Sequence, residues 1–531
     1  MLRMWMYDLA REQTPTAEHL DRMCRMSQEA GYDALGIYLE HRFAYASAEA
    51  MGMRAAGRDA LTPEMVAWLR REHPNLRLIP FANLLGHMEG FLYASGGENL
   101  AEERFAGMQA CPSNPKVAAF GRGLLDDVLA AFDDEIVHIG GDETWQLGVC
   151  GECKQRDKAE LYGGFFGPMA EYVREKGRRP AVWGDMFLDH LSALGSMPKE
   201  TLIFDWQYFG SPLESARKFV DAGHEVVLSP TVHVYNAPWC HLPQTERNVR
   251  DHAAAAAELN AYGVCVTTWE GGLFASYETL LPAIAGCGEI LREESGNTPS
   301  PTVPPSAPSS LQGEPSLDYS SLTEAPTLLK AYLKAGERHE EWARLMGVEL
   351  QEAGELFAFS QTRSPIKARL LLYGNPFLLW LRNRQSLLGD SGDKALEILD
   401  RAIAFAPDSG HRGVSEFVKI AIQIVRFTQE AAEAYAAGKP GVAAAALAPI
   451  RPAFDDLARI AKATHLRIGG SLADVERCAV AKEHVERVMR RIKQYGDGSL
   501  GYLPSFETIS HPKFMPHDQA NWWLINRWAN E

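Results

Sequence analysis

No apolar run in this sequence reaches the length of a membrane span. The nearest feature, Ala253 to Ala257, is a short alanine-rich helix patch. A signal-peptide core is missing too. The start, Met1-Leu2-Arg3-Met4-Trp5-Met6-Tyr7-Asp8, meets an acid too early for an apolar h-region and reads as a first strand. Positive charge is in deficit, with 53 Lys and Arg against 69 Asp and Glu and a net charge of −16, which argues against nucleic acid or an anionic membrane as main partner. Eight cysteines scattered over 531 residues make no disulfide framework, and Cys265 and Cys287 sit in apolar runs. A reducing cytoplasm is therefore expected. No repeat of fixed period is found.

The length suits a barrel of about 250 residues plus a second unit. Up to about Glu294, short apolar runs alternate with helical periodicity. Strands are expected at Arg3–Tyr7, Ala34–Leu39, Arg77–Phe81, Ile136–Ile139, Pro180–Trp183, Leu202–Trp206, Glu225–Ser229 and Val264–Thr268. Helical stretches such as Thr16–Ala30, Thr62–Glu72, Lys116–Phe132, Gly167–Lys176, Pro212–Ala222 and Arg247–Tyr262 lie between them. This pattern predicts an α/β fold, a (β/α)8 TIM barrel over residues 1–295, with its active site at the carboxyl ends of the strands. Residues 296–320 are a Pro/Ser-rich linker or loop. Residues 321–495 have helical periodicity throughout, including Ser364–Leu388, and form an all-α C-terminal domain. An aromatic-rich tail, 496–531, carries Phe506, Phe514, Trp522, Trp523 and Trp528, and is expected to dock on its own protein or on a sister subunit.

One stretch organises the rest. Val137-His138-Ile139-Gly140-Gly141-Asp142-Glu143-Thr144-Trp145 reads as a buried strand that ends in two glycines and presents two adjacent carboxylates. The glycines allow a sharp turn. Successive side chains on an extended backbone diverge, so Asp142 and Glu143 need not compete for one place. Trp145 supplies a flat apolar wall for a sugar ring. Taken alone, the stretch has a second reading, a strand-end turn with solvated acids.

Other strand ends supply company. The first gives Asp8 and Arg11, whose forked guanidinium suits adjacent sugar hydroxyls but which could also be an ion pair closing the barrel. The second, Glu40-His41-Arg42, is polar and undiagnostic. The third leads to Gly86-His87, an imidazole that counts only beside the carboxylates. The later ones end in Trp183-Gly184-Asp185, Trp206-Gln207-Tyr208, Tyr235-Asn236-Ala237-Pro238-Trp239 and Trp269-Glu270. Aromatic faces beside amides and acids at strand after strand point to a carbohydrate pocket.

His138-Ile139-Gly140-Gly141-Asp142-Glu143 resembles the His-x-Gly-Gly-Asp-Glu signature of the family 20 glycoside hydrolases, the β-N-acetylhexosaminidases. Asp8-Leu9-Ala10-Arg11, Ile79-Pro80 with Gly86-His87, and Tyr235 after a Leu-Ser-Pro strand fall in the family's order, and the resemblance covers the barrel alone. It implies an exo-acting, retaining enzyme that removes terminal β-linked GlcNAc or GalNAc from a glycoside or oligosaccharide by substrate assistance. The substrate's own acetamido oxygen would attack the anomeric carbon and form an oxazolinium ion. Glu143 would be general acid and then base, Asp142 would hold the acetamido N–H, and Tyr235 would donate to its carbonyl oxygen. Trp183, Trp206 and Trp269 would wall the methyl pocket, with Asp185, Tyr208 and Glu270 among the substrate-binding groups. Arg11 would bind outer hydroxyls, and His87 and His138 would orient the carboxylates. No cofactor is implied. The sequence departs from the family at Phe81 and Asn83, where carboxylates are usual, and at Glu270, which follows its tryptophan directly. Those positions bear on the choice between GlcNAc and GalNAc.

Cys150-Gly151-Glu152-Cys153 has the spacing of two zinc ligands, with Cys240-His241 as candidates to complete a structural site; free thiols are the other reading. Two other functions are carried as alternatives, a metal-dependent barrel hydrolase with His138, Asp142 and Glu143 as ligands, and a non-catalytic sugar-binding barrel. The helical domain and aromatic tail suggest a homodimer, which light scattering would test.

Overall fold

The computed structural model describes residues 1–10, 16–56, 60–104, 108–234, 237–269, 276–295, 324–352, 390–468 and 473–499. Its strands are β1 (Leu2–Asp8), β2 (Ala34–Tyr38), β3 (Arg77–Phe81), β4 (Ile136–His138), β5 (Arg179–Trp183), β6 (Leu202–Trp206), β7 in two pieces (Val226–Ser229 and Thr231–Val232) and β8 (Gly263–Thr268). All neighbours are parallel, and β8 returns to pair with β1 from Leu2↔Gly263 to Tyr7↔Thr268, which closes the barrel. β7 is broken at Pro230, which has no N–H to give the ladder. The proline carbonyl still accepts the Thr267 N–H at 2.8 Å, so the pairing with β8 runs on across the break.

Side-chain caps start the intervening helices where the sequence offers them. Thr16, Thr62, Asn114 and Asp157 accept backbone N–H groups at the heads of Ala17–Glu29, Pro63–Glu72, Pro115–Ala131 and Lys158–Glu175. Each such cap contributes about 1 kcal/mol. The last helix departs most from expectation, beginning nine residues ahead of the predicted Gly167. Its glycines are contact points rather than breaks. A Cβ at Gly163 would lie 2.7 Å from the Ser196 hydroxyl, and one at Gly167 2.6 Å from the Ser196 carbonyl oxygen.

The barrel interior is filled by Met4, Met6, Tyr38, Ile79, Phe81, Ile136, Trp183, Phe204 and Cys265. Room for Phe81 comes from Gly36 on β2, where a Cβ would lie 2.7 Å from the Phe81 ring. The bottom of the site is therefore a packed aromatic floor rather than a channel.

The chain divides into two compact units. One holds Met1–Val232, Thr245–Trp269 and helix Tyr277–Ser295 from Ile284 onward; the other holds His233–Gln244, the same helix up to Ala283, and the helices after Ala325. In the second unit, Pro326–Ala335 and Glu337–Arg344 meet at Gly336, whose φ of 133° ends one helix and starts the next. Asp390–Phe405, Ser409–Ala436, Pro440–Ala446, Ile450–Ile468 and Ala473–Gly496 follow. Trp342 anchors this unit. It is fully buried, donates from Nε1 to Ser415 Oγ at 2.9 Å, and packs edge-on against Trp239 with centroids 4.6 Å apart. The predicted helix at Ser364–Leu388, the Pro/Ser-rich 296–320 and nearly all of the aromatic tail lie outside the described residues. Among the described residues, no helix is long and apolar enough to cross a membrane.

Candidate active site

β4 is short because the chain must turn. Gly140 and Gly141 have φ angles of 77° and 104°. A Cβ at Gly140 would lie 2.9 Å from the Ala82 carbonyl oxygen, and one at Gly141 2.6 Å from the Tyr162 hydroxyl, so conformation and space both require glycine. Tyr162 donates to the Gly141 carbonyl at 2.8 Å and braces the turn. Gly86, beyond β3, is equally confined, since a Cβ there would meet the Asp142 carbonyl oxygen at 2.4 Å. Two strand ends thus meet glycine to backbone, and His87 is delivered to Asp142 and Glu143.

The two carboxylates diverge. Asp142 is 6% exposed, while Glu143, at a φ of 49°, has a side chain 29% exposed. His87 lies between them, buried, with Nε2 3.3 Å from Asp142 Oδ2 and 3.4 Å from Glu143 Oε2. Its Nδ1 is 3.8 Å from Glu40 Oε1. Burial opposes a charge on His87, but Asp142, Glu143 and Glu40 outweigh it and hold the imidazole protonated well above its usual range. Burial would likewise neutralise Asp142, and the His87 cation overrides it to keep that carboxyl below its usual value. Asp142 Oδ1 has no hydrogen-bond partner among the described residues. Asp185 goes the other way. Burial and then the charge of Asp142 push it well above the carboxylate range, while its Oδ2 accepts the Glu143 N–H at 2.9 Å.

His138 acts on the turn that carries the carboxylates. Its Nδ1 accepts the Gly140 N–H at 3.1 Å, which leaves its proton on Nε2. The ring stacks on Phe81 at 4.4 Å, with Trp183 and Phe204 at 4.6 and 4.8 Å. Burial lowers its pKa to about 3, so it is a neutral brace for the glycine turn. Trp183 is fully buried in the same floor. Trp206, Tyr208, Trp269 and Trp145 keep partial exposure. Trp206 stacks on Tyr208 at 5.1 Å, Trp269 Nε1 donates to the Tyr208 hydroxyl at 2.7 Å, and Tyr38 meets Trp269 edge-on at 4.9 Å. The expected aromatic wall therefore divides into a buried floor and a half-exposed face.

At the departures from the family pattern, Phe81 is floor, and Asn83 Nδ2 donates to the Tyr38 hydroxyl at 3.0 Å. Asp8 Oδ1 accepts the Ala10 N–H at 3.1 Å and shapes the turn after β1. Arg11, Tyr235 and Glu270 lie outside the described residues. Glu40, read as undiagnostic in the sequence, belongs to the His87 cluster; its φ of 38° just past β2 turns it there. Cys150 and Cys153 gather with Cys111 and Glu102, and Cys240 and His241 are not members of that group. Among the described residues, the groups with ligand atoms within 4.8 Å of one another do not include His138, Asp142 and Glu143 as a set, so the metallohydrolase alternative lacks its ligands. A further trio, His339, Asp408 and His411, is accounted for by Asp408 capping helix Ser409–Ala436 and bonding His411 Nδ1 at 2.9 Å.

Residues 95–274 match the family model described as "Glycosyl hydrolase family 20, catalytic domain". A curated beta-hexosaminidase of Akkermansia muciniphila is 28% identical over 136 residues, which span 24% of this chain and 26% of that one. Among solved structures, a Flavobacterium johnsoniae chitobiase is similar over 92% of this chain and 78% of its own, with a TM-score of 0.48 and 13% identity. A β-N-acetylhexosaminidase of Bacteroides fragilis is similar over 54% of this chain and 65% of its own, with a TM-score of 0.45 and 18% identity.

Proposed function

We propose that this chain, of which residues 95–274 match the family 20 catalytic-domain model, is a divergent family 20 glycoside hydrolase that removes terminal β-linked N-acetylhexosamine, GlcNAc or GalNAc, from short glycosides with retention of configuration. The observation that carries this reading is the pair of diverging carboxylates about one buried imidazolium. Asp142 is buried and held ionised by His87, and Glu143 is turned outward from the same glycine corner.

In this reading the acetamido group of the bound sugar is the nucleophile. Its N–H donates to Asp142, whose Oδ1 is an acceptor without a partner among the described residues. As the acetamido oxygen bonds to the anomeric carbon, positive charge develops on the acetamido nitrogen, and the fixed negative charge of Asp142 opposes it. Glu143 gives its proton to the leaving oxygen, then takes one from the water that opens the oxazolinium ring. Asp185 contributes by fixing the backbone of Glu143. Trp206, Tyr208 and Trp269 offer the half-exposed face on which a pyranose stacks. Tyr235 is assigned to the acetamido carbonyl oxygen, and Arg11 and Glu270 to outer hydroxyls, on family resemblance. A reducing cytoplasm is proposed with it, which fits eight cysteines of which none is joined in a disulfide.

Release of p-nitrophenol from the β-GlcNAc and β-GalNAc glycosides, set against the plain β-glucoside and β-galactoside, tests this function. Turnover confined to the acetamido sugars is expected, and the faster epimer identifies the pocket. Equal turnover of all four would overturn substrate assistance.

A further inference from the structure

The loop that leaves the catalytic carboxylates runs straight into a cluster that the reaction does not use. Cys150 and Cys153 lie seven and ten residues beyond Glu143, and Cys111 and Glu102 reach them from the loop after β3. A carboxylate oxygen of Glu102 and the three Sγ atoms all lie within 4.8 Å of one another. Cys111 Sγ is 3.8 Å from Cys150 Sγ and 3.6 Å from Cys153 Sγ. Tetrahedral zinc with Zn–S bonds of about 2.3 Å requires sulfur atoms about 3.8 Å apart. The spacing is that of ligands around one ion, and far longer than the roughly 2 Å of a disulfide.

Two further details suit a metal. The Cys153 N–H donates to Cys150 Sγ at 3.3 Å, a contact that orients ligand sulfur and tempers its charge, and Cys153 Sγ is held by Ser113 Oγ at 3.0 Å. Glu102 is 3% exposed; its Oε1 accepts the N–H groups of Val149 and Cys150 at 2.9 and 3.0 Å, while its Oε2 is buried and has no hydrogen-bond partner among the described residues. A buried carboxylate beside three thiols is costly unless a thiol proton, such as that of Cys111, or a cation meets it. No histidine is a member of the cluster, and the Arg156 guanidinium reaches it only through Ser113 Oγ, to which it donates at 3.0 Å.

We propose that Glu102, Cys111, Cys150 and Cys153 bind one structural zinc ion. Three soft thiolates and one carboxylate fill four tetrahedral positions, which leaves no place for water or substrate, so the ion holds loops together and takes no part in the chemistry. The loops it joins are already stitched. The Gln146 N–H donates to Gln109 Oε1, the Met108 N–H donates to Gln146 Oε1, and the Ala110 N–H donates to the Leu85 carbonyl, each at 2.9 or 3.0 Å. Zinc would fasten the carriers of His87 and Glu143 at their outer end.

The test is the metal content of the full chain, expressed with added zinc chloride and purified without chelator, measured by plasma mass spectrometry. About one zinc per chain is expected, released when a mercurial titrates the thiols. Cys111→Ser and Cys150→Ser should each lower the content at least tenfold, whereas Cys478→Ser in the helical unit should leave it unchanged. Refolding with cobalt chloride should give the intense absorption of tetrahedral thiolate cobalt, which reads out the site even where a serine variant fails to fold. Less than a tenth of an equivalent of zinc with no such cobalt spectrum would overturn the proposal. So would unchanged zinc in both serine variants, or a disulfide among the three cysteines in the non-reduced peptide map. All of these readouts are independent of glycosidase activity.

Discussion

Two anionic clusters sit on the loops after β3 and β4, the inner one also taking in Glu40 from beyond β2, and they balance their charge in different ways. The catalytic cluster joins Asp142, Glu143 and Glu40 and carries its own cation, His87, at 3.3 to 3.8 Å from each. The outer cluster joins Glu102, Cys111, Cys150 and Cys153, has no histidine among its members, and meets Arg156 only through the Ser113 hydroxyl. The first is complete as a protein site, and its open valences face a substrate. The second, in our proposal, is completed by a zinc ion. The two clusters are thus told apart by their counter-charge, an imidazolium built into the first and, in our proposal, a zinc ion for the second.

The largest effect expected on the catalytic side is from Glu143→Gln, which removes the proton donor while leaving the His87 contact geometry. A fall in kcat on the order of 10²–10⁴-fold is predicted for the p-nitrophenyl amino sugars, with little change in KM. Asp142→Asn should come next, at on the order of 10²–10³-fold, because the developing charge loses its fixed counter-charge. Its near-ultraviolet circular dichroism should stay that of the wild type; a collapsed spectrum would make Asp142 structural instead.

His87→Gln sharpens the comparison by making the inner cluster resemble the outer one, acids without a cation. The folded-state pKa of His87 is raised, so its contribution to stability is full below its ordinary value of about 6.5 and is lost as pH rises through the raised value. Asp142 is lowered, so its share is present above about 3.9 and is lost as pH falls through its folded value. The Tm gap between wild type and the variant should therefore be widest at about pH 4–6.5 and close toward alkaline pH. A gap that widens with rising pH would contradict a protonated His87.

The smallest effect is expected from His138→Phe, which keeps the aromatic floor and loses an acceptor for the Gly140 N–H. A cost of about 1–3 kcal/mol at pH 8 is expected from the unsatisfied donor. Because His138 is held neutral with a pKa of about 3, the wild type loses stability as pH falls from about 6.5 toward that value, and the variant should lose less over the same interval. Chemical denaturation at several pH values checks both signs.

Much of this was legible in the sequence because it is local. Apart from the second piece of β7, Thr231–Val232, which was not expected, the strands begin and end within one residue of where apolar runs placed them, since parallel strands buried on both faces must be apolar. Gly86-His87 and the Gly-Gly-Asp-Glu turn could be paired because their glycines mark strand ends. What escaped notice was brought together by the fold. Cys111 is 39 residues from Cys150, and Glu102 is 48, so no spacing pattern joins them. Glu40 lay in a polar strand end with nothing to distinguish it until β2 and β3 were side by side. In helix Lys158–Glu175 the glycines resembled breaks, because a residue chosen for close approach and one chosen for a turn look the same in one dimension.

The central claim is that the substrate's acetamido oxygen is the nucleophile, held by Asp142. It is tested most directly with p-nitrophenyl glucosaminides whose N-acetyl group carries none, one, two or three fluorines. Each fluorine withdraws electrons from that oxygen while changing little else. The account predicts that kcat/KM falls steeply and progressively along the series. A flat series would mean that the oxygen does not attack, and that an enzyme carboxylate is the nucleophile instead.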